Sequence, residues 1–129
     1  MSAQTPLAVR ILIVDDDDRV RDALRDFLAD CGAAVVPVAS AAAALRMIEH
    51  ASPDVIISDI SMPEHDGVWL IRAVRALPAA RGGDVPAIAL SGRLDHEEAL
   101  LAAGFTEVRG KPPDLAELVR LVAGLAARC

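Results

Sequence analysis

The sequence predicts a single α/β domain in which a five-stranded parallel sheet carries helices on both faces. Three observations lead there. Short apolar runs rich in β-branched residues alternate five times with segments of helical periodicity along the 129 residues. Those runs are nearly continuous in apolar residues, the pattern of strands buried on both sides. Two of them run into aspartate, and in open parallel sheets the carboxyl edge of the strands is where ligands are met. Strict βα succession with right-handed crossovers distributes the helices over both faces. One core suffices at this length, and no linker, second domain or repeat beyond the βα period interrupts it. Residues 1–129 read as one domain, with a core over about 9–126 and a flexible segment over 1–8.

Taken in order, residues 9–14 form the first strand, and Val20, Ala23, Leu24, Phe27 and Leu28 then recur at helical spacing until Gly32 stops the helix. Ala34 to Val38 is the second strand. Its Pro37 cannot donate to a ladder, so this strand belongs at a sheet edge. Ser40 caps an Ala-rich helix over 41–50. Residues 54–58 form the third strand, and the helix after Gly67 turns Val68, Leu70, Ile71, Val74 and Leu77 inward before Leu77-Pro78 closes it. The fourth strand covers 85–90. Asp95 with Glu98 three residues on resembles a capping box opening the next helix, which Gly104 closes. A short fifth strand over 105–109 precedes a last helix with Leu115, Leu118, Val119, Val122 and Ala126 on its inward face.

Composition narrows the function. Net charge of −6 and a pI near 4.9 argue against direct nucleic-acid binding, which needs a basic footprint against phosphates. No apolar run approaches a membrane span and no cleavable signal is evident at the N-terminus, so a cytoplasmic protein with no membrane partner is the expectation. Cys31 and Cys129 make neither a disulfide framework nor a metal-ligand spacing and read as free thiols.

The chemistry-bearing residues collect at strand ends. The first strand runs into Asp15-Asp16-Asp17-Asp18, and the third into Asp59, followed by Met62-Pro63 and Asp66-Gly67. Each cluster alone also reads as a helix cap or a solvated acidic face. Together, two carboxylate clusters on one edge point to a divalent cation. The fourth strand ends in Ser91-Gly92 and the fifth in Gly110-Lys111-Pro112-Pro113, which brings a hydroxyl and an ammonium to the same edge. Ser91 alone also reads as a turn residue, and Lys111 as a solvated surface lysine. Carboxylates for a hard cation, one carboxylate to spare, a hydroxyl and a lysine are what handling a phosphoryl group requires.

Over Ile11 to about Leu125 the chain resembles the receiver domain of bacterial two-component response regulators, the CheY-like family. The motifs that carry the resemblance stand in order: Val14-Asp15-Asp16, then Asp59 with Met62-Pro63 and Asp66-Gly67, then Ser91-Gly92, then Lys111-Pro112. It implies a flavodoxin-like (βα)5 fold with strand order 2-1-3-4-5. Asp59 would be the phosphoacceptor and Asp16 the direct ligand of Mg²⁺, with Mn²⁺ as a substitute. Asp15 would be a supporting carboxylate able to reach the metal through water, and the backbone carbonyl of Ser61 a further ligand. Ser91 and Lys111 would meet the phosphoryl group, and the Lys111-Pro112 bond would be cis. The implied partners are a sensor histidine kinase or phosphotransfer protein, and downstream an effector protein or an output domain. A homodimer formed on phosphorylation is also compatible. Such a domain signals; it is not an enzyme beyond its own phosphorylation and dephosphorylation.

Three positions depart from that pattern. Val108 stands where receivers usually carry an aromatic residue, and the chain has no tyrosine, so a rotating aromatic ring cannot be the switch here. Gly92 replaces the commoner alanine and loosens its loop. Trp69, the only tryptophan, lies on the helix side shared with Arg72 and Ala76, either as a partner anchor or as a ring lying across its neighbours. Two other functions compete. A pseudo-receiver would keep the fold as a binding module without phosphorylation, and Val108 keeps that reading open. A haloacid-dehalogenase-like phosphohydrolase would need a second acid two residues after Asp59, where Ser61 stands.

Overall fold

The computed structural model describes residues 7–127. Five parallel strands, β1 (Arg10–Val14), β2 (Ala34–Val38), β3 (Val55–Asp59), β4 (Ala87–Ser91) and β5 (Glu107–Gly110), pair in the order β2-β1-β3-β4-β5. Between and after them run α1 (Asp18–Asp30), α2 (Ala41–Ala51), α3 (Gly67–Arg75), α4 (Glu97–Ala103) and α5 (Leu115–Ala126). This is the expected flavodoxin-like arrangement, with the Pro37 strand at an edge.

Strand periodicity divides the core into two layers. Leu12, Val14, Ile56, Ala87 and Ala89 face α2, α3 and α4, where Ala44, Ile48, Leu70, Ile71, Val74 and Leu100 meet them. Their neighbours Ile11, Ile13, Val55, Ile57, Ile88 and Leu90 face α1 and α5 and pack on Leu24, Leu28, Leu118, Val122 and Leu125. Because successive side chains alternate faces, the near-continuous apolar runs are needed to fill both layers. Each fully buried residue such as Leu12 or Leu28 contributes about 1.5–3 kcal/mol relative to exposure. A charge at Leu12 would break the layer it fills.

Helix starts follow local chemistry. The carboxylate of Asp17 accepts from the Arg19 and Val20 amides, Ser40 Oγ from Ala43, Asp66 from Trp69 and Asp114 from Glu117. Gly32 and Gly104 follow α1 and α4 with φ of 100° and 131°, values that a side chain resists.

Several expectations need correction. The capping box at Asp95 does not form: Leu94–His96 make a 3₁₀ turn, α4 starts at Glu97 after an N-cap His96 that makes no side-chain cap bond, and Asp95 instead pairs with Arg93 at 3.2 Å. On α1, Ala23 is exposed, because the face that Leu24 and Leu28 bury is narrower than the apolar spacing suggests. On α5, Leu115 in the first turn is 37% exposed, and Leu125 takes the inward place. The core also begins before residue 9: Leu7 is buried and its amide donates to the Cys31 carbonyl at 2.7 Å. The rest of the expected flexible segment, residues 1–6, and Cys129 lie outside the described residues. Cys31 is a half-buried free thiol.

Candidate functional site

Strand register assembles the site. Val14 of β1 pairs with Ser58 of β3, so the next residues, Asp15 and Asp59, arrive together at the carboxyl edge. Asp59 pairs with Leu90, so Ser91 comes one step further along β4. Ser91 in turn pairs with Gly110, and Lys111 follows. Four strands thus deliver the four groups at one edge, while Asp16 stands beside them as an exposed carboxylate.

Lys111 ties the acids together. Its Nζ donates to Asp15 Oδ2 at 3.0 Å and lies 3.1 Å from Asp59 Oδ2, with both carboxylates buried. The second oxygens are also engaged: Asp15 Oδ1 accepts the Asp17 amide at 2.9 Å, and Asp59 Oδ1 accepts the Ile60 amide at 2.8 Å. Burial pushes the Asp59 carboxyl up, and repulsion from Asp15 adds to this. The Lys111 hydrogen bond and charge and the Ile60 amide oppose the rise without cancelling it. For Lys111, burial disfavours the ammonium, but its hydrogen bonds to Asp15 and Asp59 prevail and hold its pKa above the ordinary value.

The donor set fits a hard divalent cation. Asp15, Asp16 and Asp59 each offer an oxygen within 4.8 Å of the others. Around Mg²⁺, with bonds of about 2.0–2.1 Å, adjacent ligand oxygens lie roughly 3 Å apart and opposite ones roughly 4 Å, so the three carboxylates would draw together to share one ion. Both oxygens of Asp15 and both of Asp59 already have partners within the protein, whereas the Asp16 carboxylate is exposed.

Ser91 is buried at the edge of the site with its hydroxyl turned into its own loop, donating to the Arg93 carbonyl at 2.8 Å and accepting the Arg93 amide at 3.1 Å. Ser61 lies exposed two residues beyond Asp59. A Cβ at Gly92 would meet nothing within 4 Å, so no packing demands glycine there. Val108, 4% exposed, packs among the residues of the α2, α3 and α4 layer. The Lys111-Pro112 bond is cis. Trp69 stacks on His65 with ring centroids 3.9 Å apart and planes 13° from parallel, so its ring does lie across a neighbour.

Sequence reasoning missed three contributors. A Cβ on Gly67 would come 2.6 Å from the Asp59 carbonyl and 2.8 Å from Ile60 Cδ1, so α3 can start against the strand end only with glycine. The Asp-Gly pair signalled a turn; nothing in it signalled the close approach. Arg21 Nη1 donates to the Asp15 carbonyl at 2.8 Å and its Nη2 binds the Asp18 carboxylate. Arg75 donates through Nε to the Gly104 carbonyl at 3.0 Å, and through Nη1 to those of Gly83 and Val85 at 3.0 and 2.7 Å.

Fold and site together define a flavodoxin-like α/β domain with a carboxylate and lysine cluster at the carboxyl edge of its sheet. The family model for the response regulator receiver domain matches residues 11–123, and the chain belongs to that family. It is 45% identical over 121 residues to an uncharacterized 14.6 kDa protein of Leptolyngbya boryana, covering 92% of this chain and 91% of that one. It is 40% identical to the transcriptional regulatory protein PrrA of Mycobacterium tuberculosis, covering 92% of this chain but 50% of the regulator. The chain therefore spans nearly all of one relative and about half of the other. Among solved structures, a putative response regulator from Chloroflexus aurantiacus superposes with a TM-score of 0.85 at 34% identity, covering 96% of this chain and all of that one. The receiver domain of the Pseudomonas aeruginosa sensor histidine kinase PA1611, with a magnesium ion in its active-site cleft, gives 0.84 at 30% identity, covering 93% and 98%. No helix among the described residues is long and apolar enough to cross a membrane.

Proposed function

We propose that this receiver domain accepts a phosphoryl group on Asp59 in a reaction that depends on Mg²⁺ or Mn²⁺, and that it signals through the resulting change around Ser91 and Lys111. The observation that carries the reading is the Lys111 ammonium set between the buried carboxylates of Asp15 and Asp59, with Asp16 completing a three-oxygen cluster. A carboxylate is a poor nucleophile toward an anionic phosphoryl group unless the surrounding charge is balanced. Asp16 and Asp59 would hold the ion, Asp15 would support it, the Ser61 carbonyl would be a further ligand, and the bound ion would supply that balancing charge. An Asp59 oxygen forms the new O–P bond as the bond from phosphorus to the donor breaks. The donor is a histidine of a partner kinase or phosphotransfer protein, or a small acyl phosphate. The new group brings roughly −1.5 to −2 charge and strong acceptor oxygens. Lys111 is already ion-paired with Asp59 and can follow those oxygens. Ser91 can reach them only by giving up Arg93.

The downstream partner is an effector protein or an output domain, reached without direct nucleic-acid contact by this acidic module, and the setting is cytoplasmic. A homodimer formed on phosphorylation is compatible with this reading. The test is incubation with Mg²⁺ and acetyl phosphate followed by intact-mass measurement. A single phosphoryl adduct on wild type that Asp59→Asn lacks is expected. Turnover of acetyl phosphate with no adduct would indicate a hydrolase, and no reaction would leave a pseudo-receiver.

A further inference from the structure

We infer that Arg21 is a positioning residue for metal binding: it holds the peptide that precedes Asp16 and so aims a carboxylate that is itself exposed. The inference rests on the proposed metal role of Asp16 and Asp59. Asp16 sits between two planar peptide groups, and each is anchored from outside. The plane joining residues 15 and 16 is held by its carbonyl, which accepts Arg21 Nη1 at 2.8 Å. The plane joining residues 16 and 17 is held by its N–H, which donates to Asp15 Oδ1 at 2.9 Å. With both planes fixed, the backbone dihedrals of Asp16 are fixed, and with them the direction of its Cβ. Only the two side-chain torsions of Asp16 are then left to adjust when an ion binds.

Arg21 is built for this task. Its side chain is only 16% exposed, although it belongs to the first turns of a surface helix. The guanidinium fork spans two acceptors at once, the Asp15 carbonyl and the Asp18 carboxylate. The start of α1 that carries it is tied to the same loop, since the Arg21 amide donates to the Asp17 carbonyl at 2.9 Å and Asp17 caps the helix. Acidic loop and helix start therefore form one hydrogen-bonded unit, with Asp16 at its apex.

Positioning and plain electrostatics predict opposite signs. A cation beside a metal site repels the metal, so if Arg21 acted only through its charge, removing it would tighten Mg²⁺ binding. If it positions Asp16, removing it weakens binding despite the relief of repulsion. Arg21→Lys keeps the charge but replaces a two-armed planar donor with a point donor, so a loss of affinity in that variant cannot come from charge. The experiment is calorimetric titration of the purified protein with MgCl₂, for wild type, Arg21→Met and Arg21→Lys, with thermal unfolding in chelator measured in parallel. We expect a roughly tenfold weaker Kd for Arg21→Met and a severalfold weaker Kd for Arg21→Lys. Unchanged or tighter binding in Arg21→Lys overturns the inference, even if Arg21→Met proves too unstable to titrate. A merely structural arginine would lower stability in chelator and leave the Kd of Arg21→Lys alone. Failure of wild type itself to bind Mg²⁺ would instead remove the metal reading on which the inference stands.

Discussion

Replacing Arg75 by methionine should cost this domain about 3 kcal/mol of stability, although the residue is remote in sequence from every candidate site group. Its guanidinium is half-buried and donates to three backbone carbonyls, those of Gly104, Gly83 and Val85, at 3.0, 3.0 and 2.7 Å. These belong to the C-terminal cap of α4, the loop after α3 and the entry to β4, so one side chain joins three segments. A hydrogen bond from a charged donor contributes about 1.5–3 kcal/mol net. Burial offsets part of this, since desolvation pulls the Arg75 pKa below its ordinary value. Methionine retains the apolar stem and removes all three bonds, and water can reach only some of the freed carbonyls. For a chain of this size the loss corresponds to a fall in Tm of roughly 10 °C. Urea unfolding of both proteins at neutral pH measures it directly. A difference under about 1 kcal/mol would show that the carbonyls are resolvated at little cost, and the three-segment tie would lose its energetic meaning.

Three further outcomes follow from the same structure. Because Asp59 has a raised pKa in the folded, metal-free protein, its ionised form opposes folding at neutral pH, and this penalty fades as pH falls through the folded value. Asp59→Asn should therefore be the more stable protein in chelator at neutral pH, by on the order of 1 kcal/mol, with the gap closing in mild acid; a gap that widens on acidification contradicts the assignment. Gly67→Ala should destabilise by about 2 kcal/mol, since its Cβ would lie 2.6 Å from the Asp59 carbonyl and the start of α3 must retreat; an unperturbed unfolding curve would be inconsistent with this packing. Finally, hydrogen exchange over residues 91–104 with and without beryllofluoride should lose its activation difference in Ser91→Ala and keep it in Val108→Ala, which should forfeit only about 2 kcal/mol for its buried methyls. The reverse pattern would place the switch on β5.

What could be read from the chain was what depends on periodicity and on strand ends. Pro37 placed its strand at an edge because a missing amide is a property of the residue itself, independent of its neighbours. Asp15, Asp59, Ser91 and Lys111 were legible because each follows an apolar run, and a parallel sheet aligns such ends automatically. Asp95 misled for a related reason. The capping pattern is local, but the 3₁₀ turn that displaces it depends on how Ser91 folds its loop back onto Arg93. Arg21 and Arg75 were invisible as anything but polar helix positions. The acceptors that give them their roles, the Asp15 carbonyl for Arg21 and three carbonyls for Arg75, are backbone groups, which carry no residue signature. Leu115 looked inward by spacing, yet it lies in the first turn, where α5 has not fully settled against the sheet.

The contacts that hold the carboxylate cluster together are also the ones through which it could respond. Two carboxylates buried side by side would repel one another and favour the protonated state, and Lys111 relieves this by bonding to both. The amides of Asp17 and Ile60 take the remaining oxygens, so the cluster is satisfied without any hydroxyl. Ser91 is thereby left to its own loop, where its hydroxyl closes a turn with Arg93 just before the weakly capped start of α4. At the other end, α4 is held by the bond from Arg75 to the Gly104 carbonyl. The two ends of this short helix thus differ in restraint, and the looser one adjoins the site. New acceptor oxygens on Asp59 would compete for the Ser91 hydroxyl and release that turn while leaving Gly104 anchored. Val108, buried in the core with no polar atom to offer, could take no part in such an exchange. With no aromatic residue on β5, a response to phosphorylation of Asp59 would run through the β4–α4 turn.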